Sequence, residues 1–291
     1  MNRPAMLSVD EALAQLLDGA RPVGGIETVS TMDAAGRVLA ERLVSTINVP
    51  DHDNSAMDGF AVRVADCAPG KPLRVAQRIA AGVVGKTLEA GTAARIFTGA
   101  PIPPGADAIV MQEETKVEGD ALTLARTPAS GEWIRRIGED IRQGATILEV
   151  GTKLRPQETG LAASIGAASL KVYRKVRVAI FMTGDELVMP GEPLPPGKIY
   201  NSSRFTLSAM LRDLGCEVTD LGIVPDTLAA TRAALREAAA SADLIVTSGG
   251  MSVGEEDHVR PALEAEGELR SWQIAIKPGK PLAWGRVRRA A

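Results

Sequence analysis

The segment VRVAIFMTGDEL at residues 176–187 decides the fold, because an apolar run ends there in a short turn with two carboxylates. Two further apolar runs follow it: EVTDLGIV at residues 217–224 and DLIVTS at residues 243–248. Two stretches with helical periodicity separate the three runs, at residues 204–214 and 228–240. Strands that alternate with helices are typical of a parallel sheet with crossover helices. The sequence therefore predicts a parallel-sheet α/β domain at residues 176–291.

The region before this sheet has a different pattern. Six short apolar runs alternate with Gly and Pro turns: AVRVA, LRVAQRIA, AARIF, DAIVMQE, ALTLA and ATILEV. Short strands separated by turns at this spacing indicate a β-domain. We therefore expect a multidomain α/β protein, with a mostly-β domain inserted at residues 45–151.

Helices are expected on both sides of the inserted domain. Ser8 and Glu11 have the spacing of a capping box, and the helix that they begin should end at Gly19. Two further helical stretches are expected, at residues 33–41 and 156–165. These segments are assigned to one N-terminal helical linking domain, made of residues 1–44 and 152–175.

The predicted helix at residues 204–214 carries an apolar stripe at helical spacing: Leu207, Met210, Leu211 and Leu214. A stripe of this kind is what a helix buries against a sheet. Core packing is a sufficient explanation for all four side chains, so we assign them no chemistry.

Composition limits the classes of partner. The 291 residues are 45% hydrophobic, and the formal net charge is −3. A chain of this length buries a substantial core and favours more than one domain. It offers no basic surface for a nucleic-acid backbone, so no nucleic-acid partner is expected. No apolar stretch approaches the roughly 20 residues that span a bilayer, so no membrane partner is expected either.

The two cysteines, Cys67 and Cys216, fit neither a disulfide framework nor a cysteine metal site. Such usage suits a reducing compartment, and the N-terminus lacks the apolar run of a signal peptide. The expected location is the cytoplasm. Both cysteines are interpreted as small apolar residues, not as reactive thiols.

Two loops after predicted strands could carry chemistry, because ligands of open parallel sheets bind beyond the carboxyl ends of the strands. The first loop, at residues 183–203, has Glu186 near its start. The second, TSGGMSVGEEDH at residues 247–258, is rich in glycine and serine. Glycines let backbone amides turn toward a phosphate, and serines add hydroxyl donors. The candidate residues of the second loop are Ser248, Gly249, Gly250, Ser252 and Asp257.

A third candidate segment, IKPGKP at residues 276–281, contains Lys277 and Lys280. The two prolines restrict its backbone, so both ammonium groups are presented from a stiffened loop. That arrangement suits a doubly charged oxyanion. Two lysines on a loop are more often simply solvated, so the segment alone does not assign a ligand.

Further candidates lie elsewhere in the chain. The dense polar segments DHDNSAMDGFA and IFTGAPIPPGADAIV contain Asp58 and Thr98, and single carboxylates occur at Asp140 and Asp226. Residues of these types also build turns by bonding to their own backbone, which is the structural alternative for each of them.

Together, carboxylates, lysines and a Gly/Ser loop predict a metal-assisted phosphate or oxyanion site. Lysines and amides would bind phosphate oxygens directly, whereas carboxylates would bind them through Mg²⁺. A zinc site is disfavoured, because neither His52 nor His258 belongs to an H-E-x-x-H motif. The motifs of P-loop nucleotide hydrolases, dinucleotide-dependent dehydrogenases and serine hydrolases do not occur in the required strand and helix context.

Six motifs, in this order, resemble the molybdopterin molybdenumtransferase family, which includes MoeA and the gephyrin E-domain. They are DNSAMDGFA, IFTGAPIPPGADAIV, GED, TGDEL followed by GKIYNS, SGGMSVGEEDH and IKPGKP. The resemblance extends over about residues 7–285 and makes the α/β domain MogA-like. It implies insertion of molybdate into adenylylated molybdopterin, with Mg²⁺-dependent release of AMP.

The resemblance also implies partners and site residues. An elongated homodimer is expected, with an active cleft lined by the α/β domain of one subunit and the β-domain of the other. Contacts with other molybdenum-cofactor biosynthesis proteins are expected as well. The implied catalytic residues are Asp58, Thr98, Asp140, Glu186, Asp226 and Asp257. Among these, the implied metal ligands are Glu186, Asp226 and Asp257. The residues implied to bind the phosphate and molybdate groups are Ser248, Gly249, Gly250, Ser252, Lys277 and Lys280.

The chain departs from the family pattern in two respects. Asn201 stands where the family commonly has an aspartate. The family's Gly-Leu-Pro-Gly-Asn-Pro turn and its C-terminal β-domain do not follow residue 285, so a C-terminally truncated member is expected. Two alternative functions stay open: a non-catalytic molybdopterin-binding or scaffold module, as in gephyrin, and a molybdopterin adenylyltransferase. The N-terminal helix and the inserted β-domain argue against the adenylyltransferase.

Overall fold

A computed structural model describes residues 6–250, 257–276 and 281–288. The chain divides into two compact units. Met1–Thr28 and Lys171–Ala291 form the first, here called the α/β unit, and Val29–Leu170 forms the second, here called the β unit. The expectation of a multidomain α/β protein is confirmed, whereas the finer division into three domains stays a prediction.

Within the described residues, the structure has five α-helices and nineteen short strands. The helices are α1 Val9–Gly19, α2 Pro156–Ser164, α3 Ser202–Asp213, α4 Leu228–Ser241 and α5 Val259–Glu266. The first eleven strands are β1 Ile26–Ser30, β2 Leu43–Val44, β3 Asn54–Ser55, β4 Gly59–Val62, β5 Leu73–Ile79, β6 Thr92–Ile96, β7 Ala108–Met111, β8 Thr115–Glu118, β9 Ala121–Leu124, β10 Ile134–Arg135 and β11 Thr146–Leu148. The others are β12 Ser169–Tyr173, β13 Arg177–Thr183, β14 Leu187–Val188, β15 Ile199–Tyr200, β16 Glu217–Val224, β17 Leu244–Ser248, β18 Gly267–Gln273 and β19 Pro281–Val287.

The β unit is built around a six-stranded sheet with the strand order β7-β4-β6-β5-β9-β8. All of its neighbouring strands are antiparallel except β5 and β6, which are parallel. Successive side chains of a strand point to opposite faces. Phe60 accordingly packs into one buried cluster with Leu122, while the next residue, Ala61, packs into another with Ile96. Both faces of the sheet are therefore covered, which explains why β4 is buried at every position.

The helix predicted at residues 33–41 does not form. Only Thr31–Asp33 is helical, as a single 3₁₀ turn. The backbone amide of Leu39 donates to the carbonyl of Thr152 at 2.9 Å, and the amide of Gly151 donates to the carbonyl of Leu39 at 2.8 Å. These two hydrogen bonds join distant parts of the chain in an extended pairing, which overrides the local helical propensity.

The α/β unit contains the parallel sheet that the sequence predicts, with the order β16-β13-β17. Both neighbours run parallel to the central strand β13. Phe181 packs on one face of β13 with Leu235 of α4, and Ile180 packs on the other face with Leu211 of α3. Because the three strands are parallel, their carboxyl ends lie at one edge of the sheet, and helices cover both of its faces.

The prediction that four residues of α3 form a core stripe is wrong for two of them. Leu211 is buried and Leu207 lies partly buried beside it, but 53% of Met210 and 64% of Leu214 remain exposed. The helix contacts β13 and β16. The buried side chains are four residues apart, so α3 meets the sheet through a face narrower than its apolar stripe.

The predicted capping box of α1 is confirmed. The Ser8 hydroxyl accepts a hydrogen bond from the Glu11 amide at 3.2 Å, and the Glu11 carboxylate accepts one from the Ser8 amide at 2.7 Å. Among the described residues, no helix combines the length and hydrophobicity needed to cross a membrane.

Candidate functional site

Two loops of the α/β unit meet at the carboxyl ends of β13 and β16. Thr183 is the last residue of β13, and its hydroxyl donates a hydrogen bond to Oδ1 of Asp226 at 2.9 Å. Asp226 lies two residues beyond β16, and its backbone amide contacts Oδ1 of Asp185 at 3.4 Å. The crossover geometry of the parallel sheet thus brings Asp226 next to an acidic residue 41 positions earlier in the sequence.

Glu186 lies in the same group of residues. Its carboxylate folds back over Gly184, where a methyl group would approach a Glu186 oxygen to within 2.5 Å. Gly184 has φ +147°, a conformation that favours glycine, so the turn after β13 depends on the absence of a side chain there. The Glu186 carbonyl accepts a hydrogen bond from the Ile199 amide at 2.9 Å, which fixes the loop from its other end.

The Gly-rich turn after β17 packs against the same strand end. Gly249 and Gly250 have φ values of +105° and +61°. A methyl group on Gly249 would overlap the carbonyl oxygen of Thr183. The carbonyl of Gly250 accepts a hydrogen bond from the amide of Val259 at 3.3 Å, which places the start of α5 next to the turn. The half-buried Asp257 lies two residues before that helix.

The structure therefore brings together several of the predicted site residues of the α/β unit. Asp226 and Glu186 lie in the loops that leave β16 and β13, and Gly249, Gly250 and the exposed Ser248 lie at the end of β17. Three others, Ser252, Lys277 and Lys280, lie outside the described residues.

In the β unit, Asp58 and Thr98 form a pair. Oδ1 of Asp58 accepts hydrogen bonds from both the backbone amide and the hydroxyl of Thr98, each at 2.8 Å. The amide, and then the hydroxyl, lower the pKa of the Asp58 carboxyl below its ordinary value. Asp58 is exposed, so it presents an ionised carboxylate whose second oxygen accepts no hydrogen bond from the described residues.

Asp140 of the β unit is held by a different residue. Both of its carboxylate oxygens accept hydrogen bonds from Nη2 of Arg135 at 2.7 Å. The same arginine contacts Glu139, and the hydrogen bonds that it donates to Asp140, and then to Glu139, raise the pKa of Arg135. Asp140 is thus neutralised by a cation of its own unit, which weakens the prediction that it serves as a free catalytic carboxylate.

The carboxylates of the α/β unit are available as ligands for Mg²⁺. Within the described part of the chain, no group of three or more acidic, histidine or cysteine residues forms a ready-made metal cage. Mg²⁺ commonly uses only one or two carboxylates and completes its shell with water and substrate phosphates. Asp185 and Asp226 lie in adjacent loops at this edge, where the Asp226 amide is 3.4 Å from Oδ1 of Asp185, so two acidic side chains are available there for a metal that binds together with a phosphorylated substrate.

A cavity of about 690 Å³ lies along β17 in the same unit. It is lined mainly by aliphatic side chains of α4, α5 and β17, together with Trp284 of β19. None of the predicted site residues that the structure describes lines it. The candidate site is therefore the edge where the strands end, and not this cavity.

Sequence reasoning missed two residues of these clusters. Thr183 ends an apolar strand immediately before the acidic turn, so its position one residue before Gly184 was a usable indication. Arg135 could be found only by its spacing of five residues from Asp140, which is not specific.

Comparisons with known proteins agree with this geometry. Residues 7–166 match the family described as "MoeA N-terminal region (domain I and II)". Residues 179–291 match the family described as "Probable molybdopterin binding domain". Molybdopterin molybdenumtransferase from Haemophilus influenzae is 44% identical over 98% of this chain and 71% of its own length.

The chain belongs to the molybdopterin molybdenumtransferase family. Molybdopterin molybdenumtransferase 2 from Mycobacterium tuberculosis is 39% identical over 97% of the chain and 72% of its own length. A relative from Nostoc is 41% identical over 88% of the chain, but the match covers only 60% of that relative. The family assignment identifies the chain as a member of a transferase family of molybdenum cofactor biosynthesis.

Solved structures of the same family share the fold. A molybdopterin biosynthesis MoeA protein from Pyrococcus horikoshii superimposes with a TM-score of 0.83 at 31% identity, over 97% of this chain and 72% of that one. The strand-end carboxylates and the Gly249–Gly250 turn fall within the part that matches the molybdopterin binding domain. The expected fold class and family are thereby confirmed.

Proposed function

We propose that this chain inserts molybdate into adenylylated molybdopterin, with Mg²⁺-dependent release of AMP. The observation that carries the proposal is the meeting of the Asp226 and Glu186 loops with the Gly249–Gly250 turn at one edge of the parallel sheet. A Gly-rich turn with positive φ offers backbone amides to a phosphate, and nearby carboxylates offer oxygens to a cation.

The proposed roles follow from charge. Glu186, Asp226 and Asp257 would bind Mg²⁺ or orient water, because carboxylates facing a phosphate without a cation would repel it. Since the three form no ready-made cage, water and substrate phosphates would complete the metal's shell. When bound, Mg²⁺ would neutralise charge on the phosphate oxygens. The turn at residues 248–250 would hold the phosphate, and Ser252, Lys277 and Lys280 would add donors for phosphate or molybdate.

The β unit would contribute the Asp58–Thr98 pair. Because the hydrogen bonds from Thr98 keep Asp58 ionised, Asp58 would act as an acceptor for a water or a pterin N–H group. Asp140 is the weaker candidate of the predicted set, since Arg135 occupies both of its oxygens.

The proposed reaction has two parts. Hydrolysis breaks the P–O–P linkage between the pterin phosphate and AMP, so that water oxygen ends on one phosphorus and AMP leaves with the other. Insertion replaces a molybdate oxygen by the two dithiolene sulfurs, and the two thiol protons leave with that oxygen as water. Both parts need anions to be held close together, which is the task of the turn and the lysines.

The test is AMP release. The purified chain is mixed with adenylylated molybdopterin, Mg²⁺ and molybdate, and AMP is measured by chromatography. Asp226→Asn should reduce the rate about 100-fold, because the metal stabilises the transition-state charge by several kcal/mol. Asp213→Asn, at an exposed aspartate of α3, is the matched control and should leave the rate unchanged.

Other results would favour the alternatives. Pterin binding without any AMP release, at protein concentrations that saturate with pterin, would support a non-catalytic binding or scaffold module. Production of adenylylated molybdopterin from ATP and molybdopterin would support an adenylyltransferase. The match of residues 7–166 to the MoeA N-terminal region supports the transferase over that second alternative.

The homodimer, the contacts with other molybdenum-cofactor biosynthesis proteins and the cytoplasmic location are part of the same proposal. The family resemblance supports the first two, and the free cysteines Cys67 and Cys216 are consistent with a reducing compartment. Sedimentation equilibrium would test the dimer, since a single species at the 30.5 kDa mass of one chain would contradict it.

A further inference from the structure

Thr183 occupies a central position at the end of the parallel sheet. It is the last residue of β13, the middle strand, and only 2% of it is exposed. It pairs with Val224 of β16, and the preceding residue, Met182, pairs with Ser248 of β17. A buried polar residue in this position has contacts with the loops of both neighbouring strands.

The hydroxyl of Thr183 holds the first loop. It donates to Oδ1 of Asp226 at 2.9 Å, while the amide of Asp226 faces Asp185. Asp226 lies between Pro225 and Thr227, the N-cap residue of α4, so its backbone is constrained whereas its side chain can adopt several rotamers. The hydrogen bond from Thr183 therefore selects one orientation of the carboxylate.

The other atoms of Thr183 hold the second loop. Its carbonyl oxygen occupies the space where Gly249 would carry a side chain. Its methyl carbon Cγ2 lies 3.2 Å from the positions that a Cβ atom would take on Gly249 and on Gly250. The Gly249–Gly250 turn thus rests directly on the backbone and methyl group of Thr183.

We infer that Thr183 is a positioning residue, which orients the Asp226 carboxylate through its hydroxyl and seats the Gly249–Gly250 turn through its methyl group and carbonyl. This inference rests on the proposed function, because the orientation matters only if Asp226 and the turn act on one ligand. Because only 2% of Thr183 is exposed, it acts through these two groups and not by direct contact with a ligand. It links the Asp226 carboxylate, which would bind the cation, to the Gly249–Gly250 turn, which would bind the phosphate.

Three variants separate these contacts. Thr183→Val keeps the shape and removes the hydroxyl, whereas Thr183→Ser keeps the hydroxyl and removes Cγ2. Thr92→Val is the matched control, because Thr92 is a buried threonine of the β unit whose hydroxyl donates to the Glu89 carbonyl at 2.8 Å. It loses a comparable hydrogen bond at a position with no proposed role.

The measurements are the Mg²⁺ dependence of AMP release and the binding of Mn²⁺, followed by electron paramagnetic resonance in the presence of AMP. Thr183→Val should raise the Mg²⁺ concentration for half-maximal rate and the Mn²⁺ dissociation constant about tenfold, as loss of a group that orients a metal ligand typically does. For both quantities, Thr183→Ser should stay within about threefold of the unsubstituted chain. Thr92→Val should give the same values as the unsubstituted chain.

A double-mutant cycle distinguishes positioning from general stability. If Thr183 acts through Asp226, Thr183→Val should have no further effect on Mn²⁺ binding in a chain that already carries Asp226→Asn. Additive effects, or a Thr183→Val chain with unchanged Mg²⁺ and Mn²⁺ dependence, would overturn the inference while the proposed function stands. An unsubstituted chain that neither releases AMP nor binds Mn²⁺ would overturn both.

Discussion

At the scale of single residues, hydrogen-bond donors determine which carboxylates are free to act. Thr98 donates twice to one oxygen of Asp58, which lowers the pKa of that carboxyl and leaves its other oxygen accessible. Arg135 instead occupies both oxygens of Asp140. Two aspartates with the same implied role thus have different chemistry, because one has a neutral partner and the other has a cation.

Cys67 is expected to be an unreactive thiol. Burial, and then the charges of Asp107 and Asp66, raise the pKa of its thiol to about 11, and Sγ donates to the Arg63 carbonyl at 3.2 Å. Only the thiolate is nucleophilic, so at pH 8 Cys67 should react with Ellman's reagent about 100-fold more slowly than free cysteine.

The measurement uses a Cys216→Ser chain, in which Cys67 is the remaining thiol. Unfolding in urea should restore the rate of free cysteine, since burial is the first cause of the raised pKa. A native rate equal to that of free cysteine would show that Cys67 is accessible, and the interpretation as a packing residue would be wrong.

At the scale of elements, the ends of strands could be predicted and the width of helix contacts could not. The apolar runs at β13, β16 and β17 were found within two residues of their observed bounds, because a short apolar run that ends at turn residues is typical of a strand. Met210 of α3 was wrongly predicted to be buried, because periodicity does not reveal how much of an apolar helix face contacts the sheet.

The candidate site was predictable to a similar extent. Acidic and Gly-rich loops after strands indicated where to look, but the sequence could not show that Thr183 would contact both of them. That contact depends on the register of β13 with its two neighbours, which is a property of the assembled sheet.

The turn after β17 is expected to tolerate no side chain at Gly249. Two effects add there: the positive φ, which costs an ordinary residue roughly 1 kcal/mol, and the overlap with the Thr183 carbonyl, which adds about 2 kcal/mol. Gly191 isolates the first effect, because it has φ +95° with no atom near its missing side chain.

Urea unfolding of the Gly249→Ala and Gly191→Ala chains gives the measurement. Gly191→Ala should lower the free energy of unfolding by roughly 1 kcal/mol, and Gly249→Ala by about 3 kcal/mol. Equal losses in the two variants would mean that the turn can move away from Thr183, and the close packing would then have no role in stability.

At the scale of the whole molecule, backbone pairing within the β unit explains why the helix expected at residues 33–41 does not form. Its local pattern is helical, but Leu39 pairs with residues 151 and 152, more than a hundred positions later. The β unit closes through such distant pairings, which periodicity within a short window does not contain. Capping boxes and crossover helices are local or nearly so, and the sequence therefore predicted α1 and α4 well.

The stability of the α/β unit is expected to depend on pH through Asp243. The hydrogen bonds from Arg174, at 2.6 and 2.8 Å, lower the pKa of this carboxyl most. Burial opposes them and hydrogen bonds from Arg177 add to them, so the pKa lies well below its ordinary value of 3.8.

A carboxyl with a depressed pKa in the folded chain stabilises the fold at pH values above its unfolded-state pKa, and this stabilisation is lost as the pH falls below about 4. At pH 7, Asp243→Asn should therefore lower the free energy of unfolding by about 2 kcal/mol, because the charge-assisted hydrogen bonds between Arg174 and the carboxylate are lost. The gap between the variant and the unsubstituted chain should narrow steadily between pH 4 and pH 2, as measured by urea unfolding and far-UV circular dichroism, whereas Asp213→Asn should stay within roughly 0.5 kcal/mol throughout. A gap that stays constant down to pH 2 would mean that Asp243 stabilises the unit through its shape and not through its charge.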